Sequence, residues 1–146
     1  MNNLLILYYK IQDIRTLQSL ILSGNWLEIE NIELILAKAP NLEKLDLDQA
    51  GVYTLPPGLF YNNQRIRKFN VSGNYLVNIE PSLISHLDYL EMLDLSSNYF
   101  MGLDQIFFDV IKQKSRLKML YLQVKCKNSF TSTHMSKKKY STTKYS

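Results

Sequence analysis

One eleven-residue pattern, returning five times in register, constrains this chain more than any other feature. It reads LQSLILSGNWL from Leu17, LEKLDLDQAGV from Leu42, IRKFNVSGNYL from Ile66, LEMLDLSSNYF from Leu90 and LKMLYLQVKCK from Leu117, with starts 25, 24, 24 and 27 residues apart. Offsets 0, 3 and 5 from each start hold Leu17, Leu20, Leu22; Leu42, Leu45, Leu47; Ile66, Phe69, Val71; Leu90, Leu93, Leu95; and Leu117, Leu120, Leu122. All are Leu, Ile, Phe or Val, an outcome that chance composition gives with odds on the order of 10⁻⁷. A fixed period of this length predicts supersecondary units that bury a continuous core only by stacking on one another.

The physical role of each position follows from that stacking. Met92-Leu93-Asp94-Leu95-Ser96 alternates with period two, which predicts a short strand with leucines inside and polar residues outside. A chain returning to the same direction with each repeat must pair neighbouring strands in parallel, about 4.8 Å apart. Leu90 fills the core where the strand begins. Three residues past the last framework leucine, Asn25, Asn74 and Asn98 stand where the chain bends away. A carboxamide there has both donor and acceptor for backbone groups that the bend leaves unpaired. Ala50 and Lys125 take that place in the second and fifth repeats, predicting a looser bend at Ala50-Gly51 and a frayed fifth repeat. The column just before each start, Ile14, Ala39, Asn63, Leu87 and Lys114, is only partly apolar.

Over residues 14–124 these motifs resemble the leucine-rich repeat family, whose pattern is LxxLxLxxNxL. The 24-residue length is similar to the family's typical subclass, found in Toll-like receptor and other ectodomains. Leu55-Pro56-Pro57-Gly58-Leu59-Phe60 resembles the family's LPxxLF convex element, and Ile79-Glu80-Pro81-Ser82-Leu83-Ile84 a weaker copy of it. The resemblance implies an α/β fold: a solenoid curved as a right-handed superhelix, with about five short parallel strands on the concave face and loops or short helices on the convex face. Apolar residues at 32, 35, 36 and 39 independently predict a short helix over Asn31 to Ala39 that ends before Pro40. A second helix is expected over Gln105 to Lys114, absorbing the extra residues of the last interval.

Three segments are therefore expected: a partial N-terminal repeat over 1–13, a repeat domain over 14–124, and a basic, disordered Ser/Thr/Lys-rich tail over 125–146. The net charge of +4 divides unevenly, with 11 Lys and Arg against 13 Asp and Glu in residues 1–124 and 6 Lys with no acid beyond. A near-neutral body makes nucleic acid an unexpected partner. Cys126 is the only cysteine, which excludes an internal disulfide and any C-x-x-C site. No apolar run is long enough to span a membrane. The apolar run at the N-terminus lacks a basic region before it and is broken at Lys10, so no secretory signal is expected. Solenoid ends expose core and an unpaired strand edge unless capped, and the cysteine-rich caps implied by the ectodomain resemblance have no counterpart here. Association through uncapped ends is accordingly expected. A fragment of a longer array and a complete small protein both stay open; the first implies an extracellular or membrane ectodomain, the second a cytoplasmic protein.

No sequence pattern for an enzyme is present, whether a phosphate-binding glycine loop, a zinc-protease helix or a nucleophile elbow, and no cofactor or metal is expected. His86 and Asp88 read as an ordinary surface pair, Cys126 and His134 are too few for zinc, and Lys137-Lys138-Lys139 reads as solvated tail. Asn70-Val71-Ser72 is a glycosylation sequon whose use is not expected.

Binding is expected on the outward strand positions, which stack into columns on the concave face. One column reads Ser19, Lys44, Lys68, Met92, Met119, the next Ile21, Asp46, Asn70, Asp94, Tyr121, and the third Ser23, Asp48, Ser72, Ser96, Gln123. Lys44, Asp46, Lys68, Asn70 and Asp94 give a mixed polar surface on which lateral ion pairs are expected. Met92, Met119 and Tyr121 form an apolar cluster fit either for a protein contact or for packing against a further repeat. The chain is thus expected to be a non-catalytic protein-interaction module. A structural segment of a larger receptor ectodomain and an intracellular adaptor are the alternatives.

Overall fold

The computed structural model describes residues 14–126, 129–136 and 139–144, with side chains through Gln123. Strands β1 (Ser19–Ile21), β2 (Lys44–Asp46), β3 (Lys68–Asn70), β4 (Met92–Asp94) and β5 (Met119–Cys126) pair in parallel, each with the next along the chain. The register aligns Leu20, Leu45, Phe69, Leu93 and Leu120 in one inward row. This is the arrangement that the repeat demands, because every inward side chain then meets its equivalent one repeat away. Framework residues from Leu42 to Leu95 are wholly buried, whereas Leu17 and Leu20 at the first repeat are only partly covered.

Helices α1 (Ile29–Lys38), α2 (Pro81–Ser85) and α3 (Gln105–Gln113) close the core on the side away from the outward strand columns. Ile32, Ile35 and Leu36 of α1 are buried at the expected helical spacing. Phe107 and Ile111 do the same for α3, whose first turn is capped by the Asp104 carboxylate accepting the Phe107 N–H at 2.8 Å. The second convex segment, between β2 and β3, stays in turns, with Leu55, Leu59 and Phe60 buried and Phe60 set edge-on to Phe69 at 4.9 Å between centroids.

Each strand leaves the sheet through the same corner. The residue before the asparagine position lies in the left-handed region in four successive repeats: Gly24 (φ 72°), Gln49 (φ 51°), Gly73 (φ 65°) and Ser97 (φ 54°). The following carboxamide then turns inward. Asn74 Nδ2 donates to the carbonyls of Leu47, Val71 and Ser72 at 2.8 to 3.0 Å, and its Oδ1 accepts the Val52 N–H at 2.9 Å. Asn98 repeats the set with Val71, Leu95, Ser96 and Leu76. The looser bend expected at Ala50-Gly51 does not occur. Ala50 is fully buried, its carbonyl accepts the Leu27 N–H at 2.9 Å, and Gly51 (φ 73°) continues the tight turn. Main chain thus replaces the missing carboxamide.

The partly apolar column before each start is a second polar corner on the convex side. Buried Asn63 donates Nδ2 to the carbonyls of Leu36 and Ala39 at the end of α1, at 3.0 and 2.7 Å. Buried Lys114 donates to the Ser85 carbonyl at the end of α2 and to the Asp88 carboxylate. Both supply donors to the orphan carbonyls that terminate a helix.

Two expectations for the C-terminal part are corrected. The fifth repeat is not frayed, since Leu117, Leu120 and Leu122 are buried and β5 runs on to Cys126. The backbone expected as a disordered tail instead forms β6 (Ser129–Ser136) and β7 (Lys139–Lys144). β6 pairs antiparallel with β5 along its whole length and β7 antiparallel with β6, extending the sheet to seven strands. The pairing is a main-chain interaction, so the edge of β5 is covered rather than left as an uncapped solenoid end. The expected partial repeat over 1–13 lies outside the described residues.

Candidate protein-binding face

The outward columns stand as expected in the parallel register: Ser19, Lys44, Lys68, Met92 and Met119 in one, and Ile21, Asp46, Asn70, Asp94 and Tyr121 in the next. Their chemistry differs from the expectation in one respect. Asp46, Asn70 and Asp94 each turn a side-chain oxygen back onto the N–H two residues on, of Asp48, Ser72 and Ser96, at 3.0 to 3.1 Å. These are Asx turns that brace the strand end. Asn70 Nδ2, the atom a glycan would occupy, donates to Asp46 Oδ1 at 3.1 Å, and the Ser72 hydroxyl bonds both Asp48 and Asn70 at 2.7 Å. Carboxylates that sequence reading offered to a partner or to lateral lysines are therefore engaged in the corner. Lys44 and Lys68 enter no ion pair among the described residues.

The ion pairs run instead one position earlier, where the strands begin. Arg67 meets Glu43 at 3.2 Å and Glu91 at 2.9 Å, and Lys118 meets Glu91 at 2.9 Å. Hydrogen bonds from Lys118 and then Arg67 hold the Glu91 carboxyl below the usual carboxylate range, and Glu91 in turn raises Arg67. Beside this ladder the Tyr89 ring has two guanidinium groups over it, Arg116 at 4.6 Å and Arg67 at 5.7 Å from its centroid. Sequence reading missed Glu43, Arg67, Glu91 and Lys118. Their signal is an alternation of sign that appears only when repeats are written one beneath another.

At the C-terminal end of the face Met92 pairs with Met119 and Asp94 with Tyr121, and the Tyr121 hydroxyl donates to Met119 Sδ at 3.5 Å. None of Met92, Met119 and Tyr121 belongs to the core, and Met119 is 37% exposed. At the other end Ile21 is 60% exposed. His86 does not pair with Asp88: its ring packs against Tyr61 at 6.3 Å, and the Asp88 carboxylate receives Lys114 at 3.3 Å. Among the described residues no three His, Cys, Asp or Glu groups converge as a metal site, and no helix is long and apolar enough to cross a membrane.

Parallel strands stacked once per repeat, corner carboxamides and convex helices together define a leucine-rich repeat solenoid of the α/β class. The family model described as leucine rich repeat matches residues 40–100, the second to fourth repeats, and supports that family for the chain. No curated protein matches the chain. Leucine-rich repeats are generally protein-interaction modules.

Proposed function

We propose that this chain is a non-catalytic interaction module that offers the outer face of its parallel sheet to a protein partner. The observation that carries the proposal is the grouping of Met92, Met119 and Tyr121 on an ordered sheet whose core is complete without them. Apolar side chains held in place by strands make low-entropy anchors for a partner. Lys44 and Lys68 precede Met92 in the same column and add positive charge, while Asp46, Asn70 and Asp94 precede Tyr121 in the next.

The test is the doubly substituted chain Met119→Ala with Tyr121→Ala, compared with wild type against a partner isolated by cross-linking and then purified. The folded transition should be unchanged and the affinity about tenfold or more weaker. Equal affinity refutes the sheet face as the binding surface.

A second reading makes the chain a structural segment of a Toll-like type ectodomain built from typical 24-residue repeats, with signal transduction belonging to the larger receptor. The 24-residue intervals between Leu42, Ile66 and Leu90 and the LPPGLF element favour it. The antiparallel strand along β5 favours the self-contained module, because a following parallel repeat would need that same edge. An intracellular adaptor has the single cysteine as its support.

A further inference from the structure

Beyond the corner position, each of the first four repeats places one residue on the rim where the chain leaves the sheet. Three of these are aromatic: Trp26, Tyr75 and Tyr99, with Gly51 in the second repeat. Tyr53 stands in for the missing ring. It stacks on Tyr75 at 4.7 Å between centroids and 11° between planes, and Tyr75 stacks on Tyr99 at 5.9 Å and 9°. Trp26 lies 6.0 Å from Tyr75 at 42°. The rings form one row across four repeats, yet Trp26 is 70% and Tyr53 60% exposed. Stacking an aromatic row in solvent leaves a large apolar surface uncovered, a feature of interaction sites.

Gly51 explains how Trp26 reaches its place. A Cβ at Gly51 would stand 3.1 and 3.3 Å from indole carbons, so the bare backbone lets the ring lie against the next repeat. Trp26, Gly51 and Tyr53 then line a groove of about 420 Å³, within the roughly 300–1,000 Å³ range of binding clefts. Among the described residues, the charged side chains in its lining are two carboxylates, Glu28 and Glu30, both exposed at the start of α1, and no lysine or arginine lines it.

We infer that this rim groove is a second contact surface, which takes an arginine side chain from an extended segment of a protein partner. The guanidinium is planar and weakly hydrated, so it stacks on an indole face at little desolvation cost while its N–H fork meets carboxylates. An indole wall with two carboxylates at its edge supplies both halves of that recognition. A neutral apolar segment would leave Glu28 and Glu30 unmatched, and an acidic one would be repelled. The groove rests on the protein-binding reading only in taking its occupant from a protein, and it is separate from the sheet face.

Trp26 is the only tryptophan, so its emission reports the groove alone. The probe is an acetylated, amidated Gly-Arg-Gly-Arg-Gly peptide titrated into the full chain, beside the same peptide with citrulline for arginine. The arginine peptide should change Trp26 emission saturably and bind about tenfold more tightly than the citrulline peptide. The Glu28→Gln, Glu30→Gln double variant, with unchanged far-UV circular dichroism, should bind the arginine peptide about tenfold less tightly. No saturable change up to millimolar peptide, equal binding of the two peptides, or unaltered binding by the double variant overturns the proposal. So does an emission change that follows protein concentration alone, which would put a second copy of the chain in the groove. The sheet-face variant Met119→Ala, Tyr121→Ala should bind the peptide like wild type; loss there would move the site off the rim, whereas loss only of the purified partner bears on the sheet face.

Discussion

Replacing Asn74 by Ala removes the best connected corner of the stack, and the loss can be worked out from its bonds. The two amide hydrogens serve three carbonyls, of Leu47, Val71 and Ser72, and Oδ1 takes the Val52 N–H. Asn74 is 1% exposed, so water does not replace it readily. With the bonds of the two amide hydrogens worth about 1 kcal/mol each, and the stranding of the buried Val52 N–H costing about as much as one of them, the loss should be about 3 kcal/mol. For a chain of this size that lowers the melting temperature by about 6–12 °C. Asn25 gives the internal standard, because among the described residues it bonds only the carbonyls of Leu22 and Ser23 at an exposed corner and should lose about 1 kcal/mol. Asn74→Asp should be at least as damaging as Asn74→Ala, since a carboxylate would face three carbonyl oxygens with no proton to donate. Urea denaturation followed by far-UV circular dichroism measures all three. Equal losses at Asn25 and Asn74, or an Asp variant milder than the Ala one, would refute the reasoning.

Gly24→Ala and Ser97→Gly test the left-handed column from both sides. At Gly24 (φ 72°) a Cβ would meet nothing, so the backbone alone is strained and the variant should lose about 1 kcal/mol; Ser97→Gly should gain about 0.5 kcal/mol, and thermal shifts of the same sign would contradict the pairing. Glu91 is held below the usual range in the folded chain, while an unfolded glutamate titrates near about 4.3. The folded state therefore releases the proton more readily, and this stability is complete above the unfolded value and disappears as pH falls through the folded one. Urea midpoints between neutral and acid pH should show a steeper acid limb for wild type than for Glu91→Gln, and coincident profiles would disprove the ladder's contribution. Leu93→Asp places a carboxylate in a fully buried layer and should cost about 4 kcal/mol or more, abolishing the cooperative melt; a wild-type melting curve would falsify the inward assignment.

The framework leucines and the strand columns were legible because burial at a fixed period leaves few alternatives, and the register followed from the period alone. The left-handed column was not. Gly24 and Gly73 signal it, but Gln49 and Ser97 adopt the same φ because the corners above and below impose it. The ion ladder was equally hidden, since Glu43, Arg67, Glu91 and Lys118 are far apart along the chain and neighbours only across the stack. On the candidate face, Asp46, Asn70 and Asp94 were correctly placed outward, yet alternation says nothing about which turn an outward side chain folds back upon. β6 and β7 escaped notice because a Ser/Thr/Lys composition reports poor burial, whereas antiparallel pairing needs main-chain groups that every non-proline residue carries. The last proline of the chain is Pro81.

The alternating ladder gives the solenoid a parity. Excising the third repeat would bring Glu43 next to Glu91, two negative charges in place of an attractive contact with Arg67. Excising the third and fourth together would bring Glu43 beside Lys118 and restore attraction. One such exposed contact is worth about 1 kcal/mol at most, but a like-charge contact in the same place is unfavourable, so single-repeat and double-repeat deletions differ in sign. An array of this sequence therefore shortens or grows more easily by two repeats than by one, although every repeat has the same apolar framework.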